Sequence, residues 1–227
     1  MSDRTWVRIS AASGIAFAIF VLISAFIAGV PPAADDSPDE IASFFVDNDT
    51  KLLTAAYFQG LATVFFIWFL GTLRERLSHA GSTRLVTSLV VAAAVTGALA
   101  MAAQAVAATV AYRTAAAGNV DLTVALFDAQ LMLFNMVAFG MAAIAAAAGL
   151  VMIRFKALSP WLGYGGLLSA LVNLVAGASY AKDGVFMAGG VLGFVGFLGF
   201  VAFIVATSVM MILEHAEEPA AARMAHA

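Results

Sequence analysis

Six polar side chains interrupt long hydrophobic runs in this chain: Gln59, Gln104, Asp128, Gln130, Asn135 and Asn173. A polar group in hydrocarbon is costly, so such residues face a bundle interior or a water-filled cavity. Carboxamides supply both donors and acceptors. Asp128 is the only carboxylate inside a run and adds a point that a cation, a proton or a polar ligand can use. Asp128 and Asn135 are seven residues apart and share a helix face. Leu131 and Met132 lie between them, and Ala138 and Ala142 continue the stripe. A charge in low dielectric costs several kcal/mol unless it is paired. Arg113 and Lys182 are the candidate charge partners at the same level. Gln130 points elsewhere on the helix. The predicted ligand-binding set is therefore Gln59, Gln104, Asp128, Asn135 and Asn173.

A plainer reading stays open. Asparagine and glutamine also join helices to one another as structural glue. Helix ends near an interface tolerate polar side chains. If the fourth run begins later than its hydropathy suggests, Asp128 is a solvated residue on a projecting helix.

Other chemistry is harder to assemble. The chain has no cysteine, which excludes disulfides, thiolate metal sites and cysteine nucleophiles. His79, His215 and His226 all lie outside the apolar runs, so neither a two-histidine haem nor a Ser-His-Asp arrangement can be built within them. Lys51, Lys156 and Lys182 sit at run ends, whereas a retinal-type Schiff base needs a lysine in mid-span. The net charge of −3 provides no basic field for nucleic acid. The sequence predicts a non-enzymatic protein with no metal and no cofactor.

The elements that must position the polar residues follow from composition. Of 227 residues, 63% are hydrophobic and 11% charged, where soluble domains carry roughly 25% charged residues. Such a chain takes lipid as its solvent. A crossing needs about 20 apolar residues, and six runs qualify: 9–30, 52–73, 86–112, 122–152, 159–181 and 185–213. Backbone groups in lipid must pair internally, so the runs read as helices. The predicted fold is all-α: one integral membrane domain over 1–227, six spans, and a short charged tail at 214–227. A cleaved leader over 1–33 is the rival reading of the first run, whose length of about 22 residues exceeds the 7–15 usual for such peptides.

Lysine and arginine collect on cytoplasmic flanks. With the N-terminus inside, the inner segments hold Arg4, Arg8, Arg74, Arg76, Arg84, Arg154, Lys156 and Arg223, and the outer ones hold Lys51, Arg113 and Lys182. Eight against three predicts both termini in the cytoplasm. Trp6, Trp68, Trp161 and Tyr164 fall near the inner boundary, and Tyr57, Tyr112 and Tyr180 near the outer one, as aromatic belts do. In this orientation the candidate polar residues all lie in the outer halves of their runs. The inner halves are nearly pure Ala, Val, Leu, Phe and Gly, which suggests an outward cavity above an apolar plug.

The first outer loop is acidic: Asp35, Asp36, Asp39, Glu40, Asp47 and Asp49. Within it, Ser37-Pro38-Asp39-Glu40 reads as a helix start, with Ser37 as cap, Pro38 at the first position and Glu40 closing a capping box. Ile41, Phe44 and Phe45 follow on one face. The helix is either an interfacial linker or a lid. Gly189-xxx-Gly193 is a packing signal, within the chain or between copies. Asn48-Asp49-Thr50 fits the glycosylation pattern, which is common by chance. The Arg74-Glu75-Arg76 cluster fits a positive-inside anchor.

Asp36-Ser-Pro-Asp-Glu-Ile-Ala-Ser-Phe-Phe, Leu53-Thr-Ala-Ala-Tyr-Phe-Gln-Gly-Leu-Ala and Phe69-Leu-Gly-Thr-Leu-Arg74 resemble stretches of a multi-pass membrane protein family common in actinobacteria, a domain of unknown function with about six spans. Leu126-Phe-Asp128 and Trp161-Leu-Gly-Tyr-Gly-Gly-Leu are similar to the same group. The resemblance implies a bacterial plasma membrane and no particular activity. Two functions remain in view. One is an outward-facing site for a small molecule, lipid or ion in a carrier, sensor or accessory subunit. The other is a structural or assembly partner, in a homo-oligomer or a membrane complex, working through its glycine-rich face and basic loops.

Overall fold

Chain order sets spatial order in this protein. The computed structural model describes residues 3–81 and 83–224, with side chains over 8–81 and 83–214. Among them are seven α-helices: α1 (Asp3–Ala28), α2 (Pro38–Asp47), α3 (Asp49–Ser78), α4 (Thr83–Thr109), α5 (Val120–Phe155), α6 (Pro160–Ala176) and α7 (Val191–Met224). A π-helical turn, Val110–Thr114, extends α4. Leaving α2 aside, each helix packs on the next and α7 returns to α1, so six helices close a ring. Helix α5 also touches α3 and α7. It is the central helix: 61% of its most apolar window is buried in the protein, against 22% for α3 and for α4.

The surfaces left over are apolar. Phe26, Val64, Ile67, Trp68, Val91 and Leu168 are all exposed. Water would not tolerate such a belt, whereas lipid solvates it. Five of the seven helices are long and apolar enough to cross a membrane. Because lipid is as apolar as the core, close packing and interhelical hydrogen bonds must hold the ring. Glycines permit the closest approaches. A Cβ at Gly140 of α5 would lie 1.9 Å from Thr96 Oγ1 of α4. One at Gly149 of α5 would lie 2.7 Å from the Gly163 carbonyl oxygen of α6.

Side-chain contacts sort the helix ends into two groups. Arg76, near the end of α3, pairs with Glu214 of α7. The Ser208 hydroxyl of α7 donates to the Ala11 carbonyl of α1. These residues mark the arginine-rich end. At the other end the Ser24 hydroxyl of α1 donates to the Ala55 carbonyl of α3 (2.8 Å). Here α2 forms a cap. The Ser37 hydroxyl accepts from the Glu40 amide, and the Glu40 carboxylate accepts from the Ser37 amide (3.0 Å), completing the predicted capping box. Its apolar face is buried: Ile41 and Phe45 join Val110, Ala111, Phe127, Leu131 and Ala188 in a second core, separate from that of the ring. The Phe45 and Phe127 rings meet edge to face at 6.0 Å.

Several expected boundaries move. Helix α1 stops at Ala28, where Gly29 turns the chain at φ +75°, ahead of Pro31 and Pro32. Helix α6 ends at Ala176 instead of 181, and α7 starts at Val191 instead of 185. Between them the Ala181 amide donates to the Phe186 carbonyl (2.9 Å) and the Ala188 amide to the Ala181 carbonyl (3.1 Å). Gly184 and Gly189 take positive φ in this segment. Gly189 therefore lies outside the helix, and Gly189-xxx-Gly193 is not a helical seam. Helix α7 continues to Met224, through most of the expected tail. Arg4, Trp6, His215, Arg223 and His226 fall outside the residues whose side chains are described.

Candidate functional site at the capped end

Of the predicted set, Asn135 and Asn173 are the two that the fold buries, at 6% and 0% exposure. They act on the same structural joint. Asn135 Nδ2, on α5, donates to the Ser179 carbonyl in the segment after α6. Asn173 Nδ2, on α6, donates to the Ser169 carbonyl of its own helix (2.9 Å) and to the Gly196 carbonyl of α7 (3.0 Å). The two carboxamides thus fasten α5, α6 and α7 to one another. In a bilayer, where apolar contact between helices gains little over contact with lipid, such bonds contribute directly to assembly.

Three buried oxygens of this joint have no hydrogen-bond partner among the described residues, Ser169 Oγ, Asn173 Oδ1 and Ser179 Oγ, and on α5 Gln130 Oε1 has none either. The two serines belong to the same joint as the asparagines and are not among the residues the hydropathy pattern picks out. In hydrocarbon a hydroxyl usually bonds back to its own helix, so serine interrupts hydropathy weakly. Buried Thr207 and Ser208 of α7 interrupt hydropathy as weakly. Thr207 bonds back to the Phe203 carbonyl (2.8 Å), whereas Ser208 reaches α1. The half of the ring expected to be nearly pure Ala, Val, Leu, Phe and Gly is crossed by at least one interhelical hydrogen bond.

The remaining predicted residues lie elsewhere. Gln59 on α3 and Gln104 on α4 are half-buried, and Asp128 on α5 is exposed. Among the described residues Asp128 has no salt bridge. Arg113 is exposed in the π-helical turn, with its guanidinium 5.6 Å from the centre of the Tyr112 ring. Lys182 is exposed in the segment after α6. Helix α5 has 36 residues, about 54 Å at 1.5 Å per residue, against a hydrocarbon thickness of about 30 Å.

The cavity at this end has other walls. An open groove of about 540 Å³ lies between the last turn of α1, the end of α2 and the start of α3. Phe26, Ile27, Val30 and Phe44 form its apolar sides, with Asn48 and Lys51 at the rim. Lys51 Nζ donates to Asn48 Oδ1 (3.0 Å), and Asn48 Nδ2 donates to the Phe44 carbonyl (2.9 Å). Phe26 and Val30 are 88% and 89% exposed, so the apolar side of the groove opens outward. None of the predicted ligand residues lines it. Its walls come from three separate segments, and the one visible sequence signal was the apolar run 26–30 passing the helix end.

The arrangement suits binding and fastening. Among the described residues no group of three or more His, Asp or Glu side chains is placed to hold a metal ion. A titratable group with a shifted pKa lies on α2. The hydrogen bond from the Ser37 hydroxyl, then that from its backbone amide, holds the Glu40 carboxyl below its ordinary value. No protein-family model matches the chain, and neither a curated protein nor a solved structure does.

Proposed function

We propose that the protein crosses a bacterial plasma membrane six times, keeps both termini in the cytoplasm, and binds an amphiphile, a lipid above all, at its capped, outward end without catalysing a reaction. The observation that carries this reading is the groove beside α2, apolar within and cationic at its rim. It lies where an outer-leaflet lipid would present its headgroup. The polar residues Asn135 and Asn173 serve this reading as fasteners of the capped end, since their amides are engaged by backbone carbonyls. Such a protein works as a sensor, carrier or accessory subunit.

Helix α6 supports the sixth crossing although it has only 17 residues. It runs antiparallel along the part of α5 that must lie in hydrocarbon: Gly163 packs on Gly149, Gly166 on Ala145 and Gly177 on Phe139. The bias of Lys and Arg supports the orientation.

Native mass spectrometry of the purified protein after exchange into phospholipid–detergent micelles tests the binding reading. Wild type is expected to retain a lipid adduct. Ala28→Trp, which fills the groove, is expected to lose it while keeping the wild-type melting temperature. An adduct unaffected by the plug, or none at all, overturns the reading.

The assembly reading has its own support. Gly60 and Gly71 of α3 and Gly97 of α4 have nothing within 4 Å of where a Cβ would stand. Crosslinking in intact membranes distinguishes it, through one defined heterologous or homologous partner at that face.

A further inference from the structure

Among the residues that line the groove, Lys51 alone carries a charge and Asn48 alone has an uncharged polar side chain. Asn48 stands immediately before α3, where an asparagine usually caps the free amides of a helix. Its side chain makes no cap hydrogen bond. Instead Nδ2 donates to the Phe44 carbonyl (2.9 Å), which fixes the carboxamide, and Oδ1 accepts from Lys51 Nζ (3.0 Å). The oxygen that could cap α3 orients an ammonium.

An ammonium has three donors, and Asn48 takes one. Among the described residues no carboxylate forms a salt bridge with Lys51. Three carboxylates of the acidic loop are engaged elsewhere. Asp36 accepts from the Ala33 amide (2.8 Å), Glu40 from the Ser37 amide and hydroxyl, and Asp49 from the Thr50 amide and hydroxyl. Asp35, Asp39 and Asp47 are exposed, where salt screens charge over about 8–10 Å. Lys51 thus brings free donors and an unpaired charge to the mouth of an apolar groove.

The complement of this wall is an anionic group joined to an apolar tail. A free anion would leave Phe26 and Val30 bare. A fatty-acid carboxyl at the membrane boundary loses charge by desolvation, whereas a phosphodiester stays ionised. We propose that the groove takes a phospholipid by its phosphate. The phosphate lies at Lys51, Asn48 is the positioning residue, and an acyl chain lies against Phe26, Ile27, Val30 and Phe44. No lining side chain is left to read what is esterified beyond the phosphate, so phosphatidylethanolamine and phosphatidylglycerol bind alike. The inference rests on the groove being a lipid site at all.

The test uses the full-length protein in detergent micelles doped separately with phosphatidylethanolamine, phosphatidylglycerol, diacylglycerol or the free fatty acid of the same chain, read by native mass spectrometry. The two phospholipids are expected to be retained to the same extent, each about fivefold over diacylglycerol, the size of one well-placed exposed ion pair. Lys51→Gln is expected to remove that excess and Lys51→Arg to keep it, both with the wild-type melting temperature in lipid-free detergent. Asn48→Ala is expected to reduce phospholipid retention and leave that of diacylglycerol unchanged; a fall in both overturns its positioning role. Excess inorganic phosphate is expected to leave the phospholipid adduct in place, and its displacing the adduct would assign the site to a free anion. Diacylglycerol or fatty acid retained as well as the phospholipids, or an excess that survives Lys51→Gln, overturns the phosphate assignment and leaves the lipid site standing. Retention of one phospholipid well above the other overturns the indifference to the headgroup. Retention of no lipid overturns both readings together.

Discussion

Asn173 and Gly196 form a single joint between α6 and α7: the Asn173 amide donates to the Gly196 carbonyl at 3.0 Å, and Asn173 Oδ1 lies 3.0 Å from where a Cβ on residue 196 would stand. Glycine at 196 lets the backbones approach, and the approach lets the carboxamide reach across. Asn173→Ala is expected to destabilise the fold by about 1 kcal/mol, in the range for interhelical hydrogen bonds in bilayers. Gly196→Ala forces the same side chain aside. Because the two residues share one contact, the double variant should cost less than the sum of the singles, by about 0.5 kcal/mol or more. Reversible unfolding in mixed micelles by SDS titration measures all three. Additive losses would separate the two residues.

Gly140 and Thr96 set the distance between α4 and α5. A Cβ at 140 would lie 1.9 Å from Thr96 Oγ1 and 2.9 Å from Thr96 Cβ, so Gly140→Ala should cost about 1–3 kcal/mol by overpacking. Removing the hydroxyl in a Thr96→Ala background should recover part of that loss. Gly97→Ala, one residue along α4, meets open space and should be neutral or slightly stabilising. The contrast between neighbouring positions, read by the same SDS titration, separates helix contact from helix propensity.

What the sequence disclosed follows from the range of each signal. The α2 capping box was legible because Ser37, Pro38 and Glu40 act on each other within one turn. The apolar runs were legible because lipid selects composition directly. Segment 177–190 was not, since Val185, Phe186, Met187 and Ala188 raise hydropathy while the Ala181 backbone bonds and the positive φ of Gly184 and Gly189 break the helix. Asp128 follows Ala125, Leu126 and Phe127 in an apolar run, and hydropathy does not show that its side chain stands exposed on α5. Asn135 and Asn173 were found as polar intruders, but their partners are backbone carbonyls, which no sequence pattern marks. The groove unites residues 26–30, 44, 48 and 51, and only folding brings them together.

The cap should loosen in acid. Hydrogen bonds from Ser37 favour the charged form of Glu40, so its folded pKa lies below the ordinary 4.5. The sign follows: the capping contribution is fully present above the unfolded value and is lost as pH falls through the folded one. Hydrogen exchange at the α2 amides, corrected for intrinsic rates, should show protection constant above about pH 5 and falling below about pH 4. Glu40→Ala should show the low protection throughout. An unchanged acid response in that variant would move the effect to other carboxylates.

The sixth crossing can be read from two lysines. Lys156 follows α5 and Lys182 follows α6, and both are exposed. The Arg76–Glu214 pair brings the far end of α7 to the arginine-rich end, while Asn135 and Ser179 meet near the cap, so the chain between 156 and 182 travels the length of the ring. The chain has no native cysteine, so single substitutions report without background. In intact cells, Lys182→Cys and Asp39→Cys should react with a membrane-impermeant maleimide. Lys156→Cys and His79→Cys should react only after permeabilisation. If Lys156→Cys and Lys182→Cys label from the same side, α6 enters and returns without crossing. If both pairs label in the reverse sense, the helices cross as described but with the cap inside, and the excess of arginine at the opposite end would then oppose the usual rule for orientation.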